Sequence, residues 1–125
     1  MLLEKDVFEM LFNNPDLKNI FSDKIYYLEA DKESDSPYLV VQPILLGSTR
    51  EVNFFKPLFQ LDIYHSDKFK ASEIAEAVID ILKNINGIYG NTHLSKFLLE
   101  KRQPLRLEKD LWKIPVDTTF NCKGN

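Results

Sequence analysis

The sequence has little that could form a disulfide or bind a metal. It contains one cysteine, Cys122, and two histidines, His65 and His93, in 125 residues. A single thiol cannot close an internal disulfide, so nothing indicates an oxidising compartment. The spacing of these three residues matches no arrangement of ligands around zinc. The sequence therefore predicts neither a disulfide nor a metal site, and Cys122 is interpreted as a small side chain at the end of a strand.

Glycine is also scarce, and no phosphate-binding loop is present. The four glycines occur without a Gly-x-Gly or Gly-Lys-Ser/Thr pattern, which backbone cradles for phosphate require. Ser66 beside His65 is typical of a strand end followed by a helix cap, not of a nucleophile and its base. The acidic run at residues 31–35 lacks the ligand spacing and the glycine of a calcium-binding loop. We therefore expect no catalytic residue, no metal and no cofactor.

Long apolar runs and an excess of positive charge are both missing. No stretch approaches the roughly 18–20 apolar residues of a membrane span, and Glu4 ends the apolar start of the chain. We expect no membrane partner and a chain kept in the cytoplasm, or in an assembly built there. The net charge is −3, whereas binding to nucleic acid through counterion release needs an excess of Lys and Arg. We therefore expect no specific binding to DNA.

The charge is unevenly distributed along the chain. Residues 1–36 carry nine acidic and four basic side chains, whereas residues 37–125 carry ten acidic and twelve basic ones. Regions of opposite sign in one small domain can guide self-association. Residues 96–113 are enriched in Lys and Arg around Phe97. This stretch is open to three interpretations: a nucleic-acid strip, the solvent face of a hairpin, or a contact with the acidic first third.

What is present indicates one globular domain over residues 1–125. Hydrophobic residues make up 44% of the chain and charged residues 28%, which is typical of a folded protein. Apolar residues at helical spacing predict helices over 2–13 and 67–85, and a further turn over 16–21. Strand-forming or alternating residues predict five strands, over 24–30, 38–46, 58–65, 92–103 and 111–122. Ser66 or Asp67 is expected to cap the long helix at its start, and Gly87 to end it.

The order of these elements predicts an α+β fold. Grouped strands with connections compatible with hairpins favour a largely antiparallel sheet, packed by the long helix 67–85 and the N-terminal helix. Pro43 has no N–H to donate, so strand pairing should weaken near it. The predicted core consists of Val40, Phe59, Leu61, Ile63, Ile74, Val78, Leu82, Trp112, Ile114 and Val116.

The segment 47–56 has the clearest features of an interaction site. It is long for a hairpin turn, and it places Phe54 and Phe55 between polar residues. Large exposed apolar side chains usually mark an interface. We therefore predict that the segment projects and that Arg50, Phe54 and Phe55 contact a neighbouring subunit. The alternative is that the segment folds back and buries both rings.

The order of blocks resembles a known family. The blocks are Ile25-Tyr26-Tyr27, Pro37-Tyr38-Leu39-Val40-Val41, Phe59-Gln60-Leu61-Asp62-Ile63-Tyr64, Ala71-Ser72-Glu73-Ile74-Ala75-Glu76-Ala77-Val78, and Trp112 before an alternating strand. Over residues 20–121 this pattern is similar to the tail completion proteins, also called tail terminator or head-to-tail joining proteins, of long-tailed bacteriophages and prophages. It carries no catalytic signature, and residues 47–56 have no counterpart in it.

The resemblance implies a structural virion protein without enzymatic activity. Such proteins form a ring, commonly a hexamer, at the head-proximal end of the tail tube, after assembly in the host cytoplasm. The implied partners are other copies of the chain, the tail tube protein and the head–tail connector protein, and DNA passes through the ring. Two alternatives remain open at this point. One is a head completion or neck connector protein, and the other is a small bacterial α+β domain that binds a ligand or acts as an enzyme.

Overall fold

The fold is taken from a computed structural model, which describes residues 3–31, 35–45, 54–90 and 92–124. Within these residues the chain forms three helices and eight strands. The helices are α1 (Leu3–Phe12), α2 (Pro15–Phe21) and α3 (Lys68–Leu82). The strands are β1 (Ile25–Tyr27), β2 (Tyr38–Leu45), β3 (Phe54–Phe55), β4 (Leu58–His65), β5 (Asn86–Tyr89), β6 (Thr92–Lys101), β7 (Leu105–Glu108) and β8 (Leu111–Gly124).

The described strands form one mostly antiparallel sheet, which confirms the α+β prediction. The strand order is β1-β2-β4-β8-β6-β5, and β3 and β7 also pair with β8. The long strand β8 therefore lies in the middle, with β3 and β4 on one side and β6 and β7 on the other. All described pairs are antiparallel except β1 with β2.

The parallel pair at the edge was not expected, because the predicted connections were hairpins. Strand β1 ends early since Leu28 has a φ of 72°, which breaks the extended backbone. Strand β1 has only three residues, and a connection of ten residues separates it from β2. This connection is long enough for the chain to return to the end of the sheet at which β1 begins, so β2 runs parallel to β1. Pairing with β1 covers Leu39 to Val41, and the β2–β4 register shifts between Pro43 and Leu45. This confirms the weakening predicted near Pro43.

The core lies between the helices and one face of the sheet. Strand β4 contributes Phe59, Leu61 and Ile63, all fully buried, as its period of two predicts. Helix α3 contributes a fully buried stripe at helical spacing, formed by Ala71, Ala75, Val78 and Leu82. Ile114 and Val116 of β8 complete the predicted set of fully buried residues in this cluster.

Two members of the predicted core are only partly buried, and a third is buried on the other face of the sheet. Ile74 packs against the core but is only partly buried, because it lies at the edge of the α3 stripe. Trp112 is also partly buried, since it lies near the start of β8 beneath the side chains of Lys68 and Arg106. Val40 is buried, but on the opposite face of the sheet, where it is in register with Asp62 of β4.

The ends of α3 also differ in part from expectation. Asp67 caps the start, as predicted, because its Oδ1 accepts hydrogen bonds from the N–H groups of Phe69 (2.8 Å) and Lys70 (3.2 Å). The helix ends at Leu82, not 85, and its last cap, Lys83, keeps a right-handed conformation. Gly87 therefore does not terminate the helix. It lies in β5, opposite Leu94 of β6.

Strands β5 and β7 were missed by the sequence analysis. Strand β5 reads Asn-Gly-Ile-Tyr, without alternation, whereas β7 reads Leu-Arg-Leu-Glu, which alternates with a period of two over only four residues, all of them exposed. Both extend the sheet by pairing with a neighbouring strand, β5 with β6 and β7 with β8. Cross-strand partners, not local propensity, form these two strands.

Candidate interaction surfaces

The predicted interface segment is described only at its C-terminal end. Phe54 and Phe55 form β3, whose backbone pairs with Lys123 and Cys122 at the end of β8. Arg50 and the rest of residues 46–53 lie outside the described residues. The C-terminal end of this segment therefore runs beside β8, the central strand of the sheet. The contact of Arg50, Phe54 and Phe55 with a neighbouring subunit stays a prediction.

The sheet face opposite the helices, called here the open face, carries a buried carboxylate. Asp62 of β4 is fully buried, although its side chain alternates away from the core. Its carboxylate accepts hydrogen bonds from Nε2 of Gln42 (2.7 Å) and from Nε2 of Gln60 (2.8 Å). The Nζ of Lys113 lies 3.5 Å from Oδ2 of Asp62. A cation and two amides therefore satisfy this carboxylate, which makes it a structural group.

A second ion pair joins this network from the other side of β8. The guanidinium of Arg102 donates to Oε1 of Gln60 at 2.5 Å, and its Nε lies 3.3 Å from Asp117. Gln60 thus links Asp62 to Arg102, and the network spans β4, β8 and the end of β6. A connected and satisfied polar network specifies one register for the strands that carry it.

Three tyrosines form a row on the same face, one each from β1, β2 and β4. The rings of Tyr38 and Tyr64 are stacked with centroids 4.6 Å apart, and Tyr26 meets Tyr38 edge-on at 6.3 Å. Burial raises the pKa of Tyr64 to about 12, with further contributions from the charges of Asp62 and Tyr38. Burial also raises the pKa of Tyr38. At neutral pH Tyr38 and Tyr64 therefore offer stacked aromatic rings and neutral hydroxyls, not a phenolate nucleophile.

The side chain of His65 has a structural role in the fold. The N–H of Asp67 donates to Nδ1 of His65 at 2.9 Å, so this histidine closes the turn between β4 and α3. Burial is the main cause of a lowered pKa for His65, which favours the neutral ring.

No group of three or more His, Cys, Asp or Glu side chains that could hold a metal occurs in the part of the chain that the structure describes. None of the described helices is long and apolar enough to cross a membrane.

Cys122 is expected to be unreactive in the folded protein. Burial raises the pKa of its thiol to about 12, so at pH 8 the side chain is the neutral thiol and not the nucleophilic thiolate. We expect a disulfide-type thiol reagent to label the native protein at pH 8 at least about 100-fold more slowly than the protein unfolded in guanidinium chloride. The measurement is stopped-flow absorbance of the released thiolate. Fast stoichiometric labelling of the native protein would contradict this burial.

One exposed aromatic residue escaped the sequence analysis. Phe69 lies in the first turn of α3 and is 70% exposed. A signal was available, because Phe69 falls outside the apolar stripe of α3 and stands between Lys68 and Lys70. Other large apolar side chains that are about half exposed or more include Leu28, Ile44, Ile88, Leu98, Leu105 and Leu107.

The solved structures that match this chain include two that align over nearly its whole length. One is a chain described as "Virion of native gene transfer agent (GTA) particle", with a TM-score of 0.65 and 17% identity. The alignment covers 98% of this chain and 95% of that chain. A second solved chain has a TM-score of 0.62 and 12% identity, and the alignment covers 98% of this chain and 92% of that one. At these identities the matches show a shared fold.

Comparison at the level of sequence is negative. No model of a protein family matches the chain, and no curated protein matches it.

Proposed function

We propose that the chain is a structural protein of a tailed phage-like particle, and that it forms a ring that ends the tail tube and joins it to the head. One observation carries the proposal: the whole fold matches that of a chain from a gene transfer agent virion, at a TM-score of 0.65. The match extends over 98% of the residues, so it includes the helices, the central strand and both sheet edges. The resemblance of the sequence blocks to tail completion proteins supports the same role.

The chemistry of the side chains, the symmetry of a ring and the net charge support the details of this proposal. Hydrogen bonds satisfy Asp62, and burial keeps Tyr64 and Cys122 neutral, which agrees with structural roles for these three side chains. Subunits of a ring contact each other through two different surfaces. We propose six copies per ring, with the tail tube protein on one side and the head–tail connector on the other. DNA passes through without specific contacts, since the chain has a net charge of −3.

Native mass spectrometry of the purified protein, followed by binding to isolated tails and to DNA-filled capsids of the particle, tests the proposal. We expect a closed oligomer, six copies in number, that sediments with tails and stops their elongation. Binding to capsids alone would instead identify a head completion protein. A monomer that binds neither structure, or that carries a bound small molecule, would overturn the proposal.

The same assay tests the predicted contact of Phe54 and Phe55. The double variant Phe54→Ser, Phe55→Ser should keep a native circular dichroism spectrum and lose the ring. Burial of one Phe across an interface contributes roughly 1.5–3 kcal/mol, and a ring repeats that contact at every interface. Loss of folding would place the rings in the core of their own subunit. A variant that still assembles would show that the interface lies elsewhere.

A further inference from the structure

The first turn of α3 forms a cationic, aromatic protrusion at one end of the sheet. Phe69 is 70% exposed, and the exposed residues Lys68 and Lys70 flank it. The Nζ of Lys68 lies 5.2 Å from the centre of the Phe69 ring and 5.3 Å from that of Trp112. No ion pair to Lys68 or Lys70 occurs among the residues that the structure describes. Asp67, the neighbouring carboxylate, is held by the backbone as the helix cap.

The surroundings of Phe69 are also basic. An open cleft of about 380 Å³ lies beside it, and Lys101, Arg102 and Pro104 of the β6–β7 connection contribute to its lining. Lys101 is paired with Glu76 at 2.7 Å and Arg102 with Asp117 at 3.3 Å. The cations of this end without an ion pair in the described residues are therefore Lys68 and Lys70, and the helix cap Asp67 offsets part of the charge of Lys70. We call Lys68, Phe69 and Lys70 the α3 knob.

A groove of opposite character lies between α1 and the β5–β6 turn. It measures about 390 Å³, and its lining includes the carboxylates of Asp6 and Glu9 and the apolar groups of Met10, Ile88 and Tyr89. Among the described residues that line it there is no lysine or arginine. Asp6 accepts a hydrogen bond of 2.7 Å from the hydroxyl of Thr92, which holds α1 against the hairpin. The side chain of Glu9 is 52% exposed, and its Oε1 lies 3.7 Å from Nζ of Lys5, an exposed pair along α1 that contributes little and leaves Glu9 accessible to a second cation. Ile88 is 66% exposed. We call this the α1 groove.

The knob and the groove lie at opposite ends of β6. The groove is next to Thr92, where β6 begins, and the knob is next to Lys101, where β6 ends. Ten residues of extended chain place these ends about 30 Å apart. The knob of one copy therefore cannot enter its own groove. It can enter the groove of another copy.

We propose that the α3 knob of one copy docks into the α1 groove of the next copy, and that this contact closes the ring. The inference rests on the proposed function for the ring itself and adds the surfaces that form it. The occupant follows from complementarity: an aromatic ring with two cations meets apolar side chains with two carboxylates. A contact between two different surfaces is heterologous, and a heterologous contact repeated around an axis gives a ring. The excess of acidic residues within residues 1–36 favours the same orientation.

Substitution of the knob tests the proposal in the full-length protein. Phe69→Ser should raise the concentration for half-assembly by about tenfold or more, because the variant loses the apolar part of the contact. The matched control is Leu98→Ser, which removes an apolar side chain of β6 that is 49% exposed and in register with Thr119. This control should assemble like the wild type. Circular dichroism of both variants should match the wild type.

Charge exchange tests the orientation of the contact. Lys70→Glu and Glu9→Lys should each weaken assembly, and the double variant that carries both should restore it in native mass spectrometry. Carboxylates are favourable in the first turn of a helix, so Lys70→Glu should fold. Wild-type assembly by Phe69→Ser, or no recovery in the double charge variant, would overturn the proposal. Wild-type rings that fail to bind tails would overturn the proposed function and leave this contact intact.

Discussion

Replacement of Asp62 by alanine is expected to lower the free energy of unfolding by about 3–5 kcal/mol. The carboxylate is fully buried and holds three donors, from Gln42, Gln60 and Lys113. Its removal leaves an ammonium group on a side chain that is only 21% exposed, together with two unpaired amides. Urea denaturation followed by circular dichroism measures the loss.

Two further variants separate the ion pair from the hydrogen bonds. Asp62→Asn keeps the size and one acceptor oxygen, so the loss should be smaller than for alanine. The double variant Asp62→Leu, Lys113→Met removes both charges together, and it should recover much of the stability because buried pairs can be replaced by apolar groups. A loss below about 1 kcal/mol for Asp62→Ala would show that water reaches this site and that the network is not structural.

Replacement of Leu82 by alanine is expected to lower the free energy of unfolding by about 2–5 kcal/mol. Leu82 is fully buried at the end of the α3 stripe, and its removal leaves a cavity between the helix and the sheet. The control is Ile44→Ala, whose side chain is 52% exposed on β2 and which should lose about 0.5 kcal/mol or less. A similar loss for both variants would contradict the packing of α3 on the core.

The elements predicted well are those in which burial and local pattern agree. Strand β4 has a strict period of two, and the structure gives it the predicted bounds, Leu58–His65. The stripe of α3 is equally regular, so the sequence pattern predicts both the helix and its buried face. Strands β5 and β7 are different because their backbone partners, β6 and β8, define them. Strand β5 has no alternation in its sequence, and the alternation of β7 covers only four residues, so a signal for β7 was present but short.

The surfaces were harder to predict than the core. The alternation of β4 places Gln60 and Asp62 on the face away from the core, and the structure has them there. Asp62 is nevertheless buried, because Gln42 and Lys113 arrive from strands 20 or more residues away in sequence. Spacing within one segment contains no information on such partners. In the sequence, Phe69 is an apolar residue outside the buried stripe of α3. Its interpretation as part of an interaction surface depends on the cleft beside it, which the structure shows.

The central position of β8 has a consequence for synthesis of the protein. In the described sheet, β8 provides the backbone pairing that joins strands β2 and β4 on one side to β5 and β6 on the other, and it is made after all of them. During synthesis on the ribosome, the edges of β4 and β6 that pair with β8 therefore remain unpaired until residues 111–124 have emerged. Unpaired edges of this kind invite pairing with other chains. The nascent chain thus passes through a stage at which a chaperone that covers strand edges would protect the yield of folded subunits.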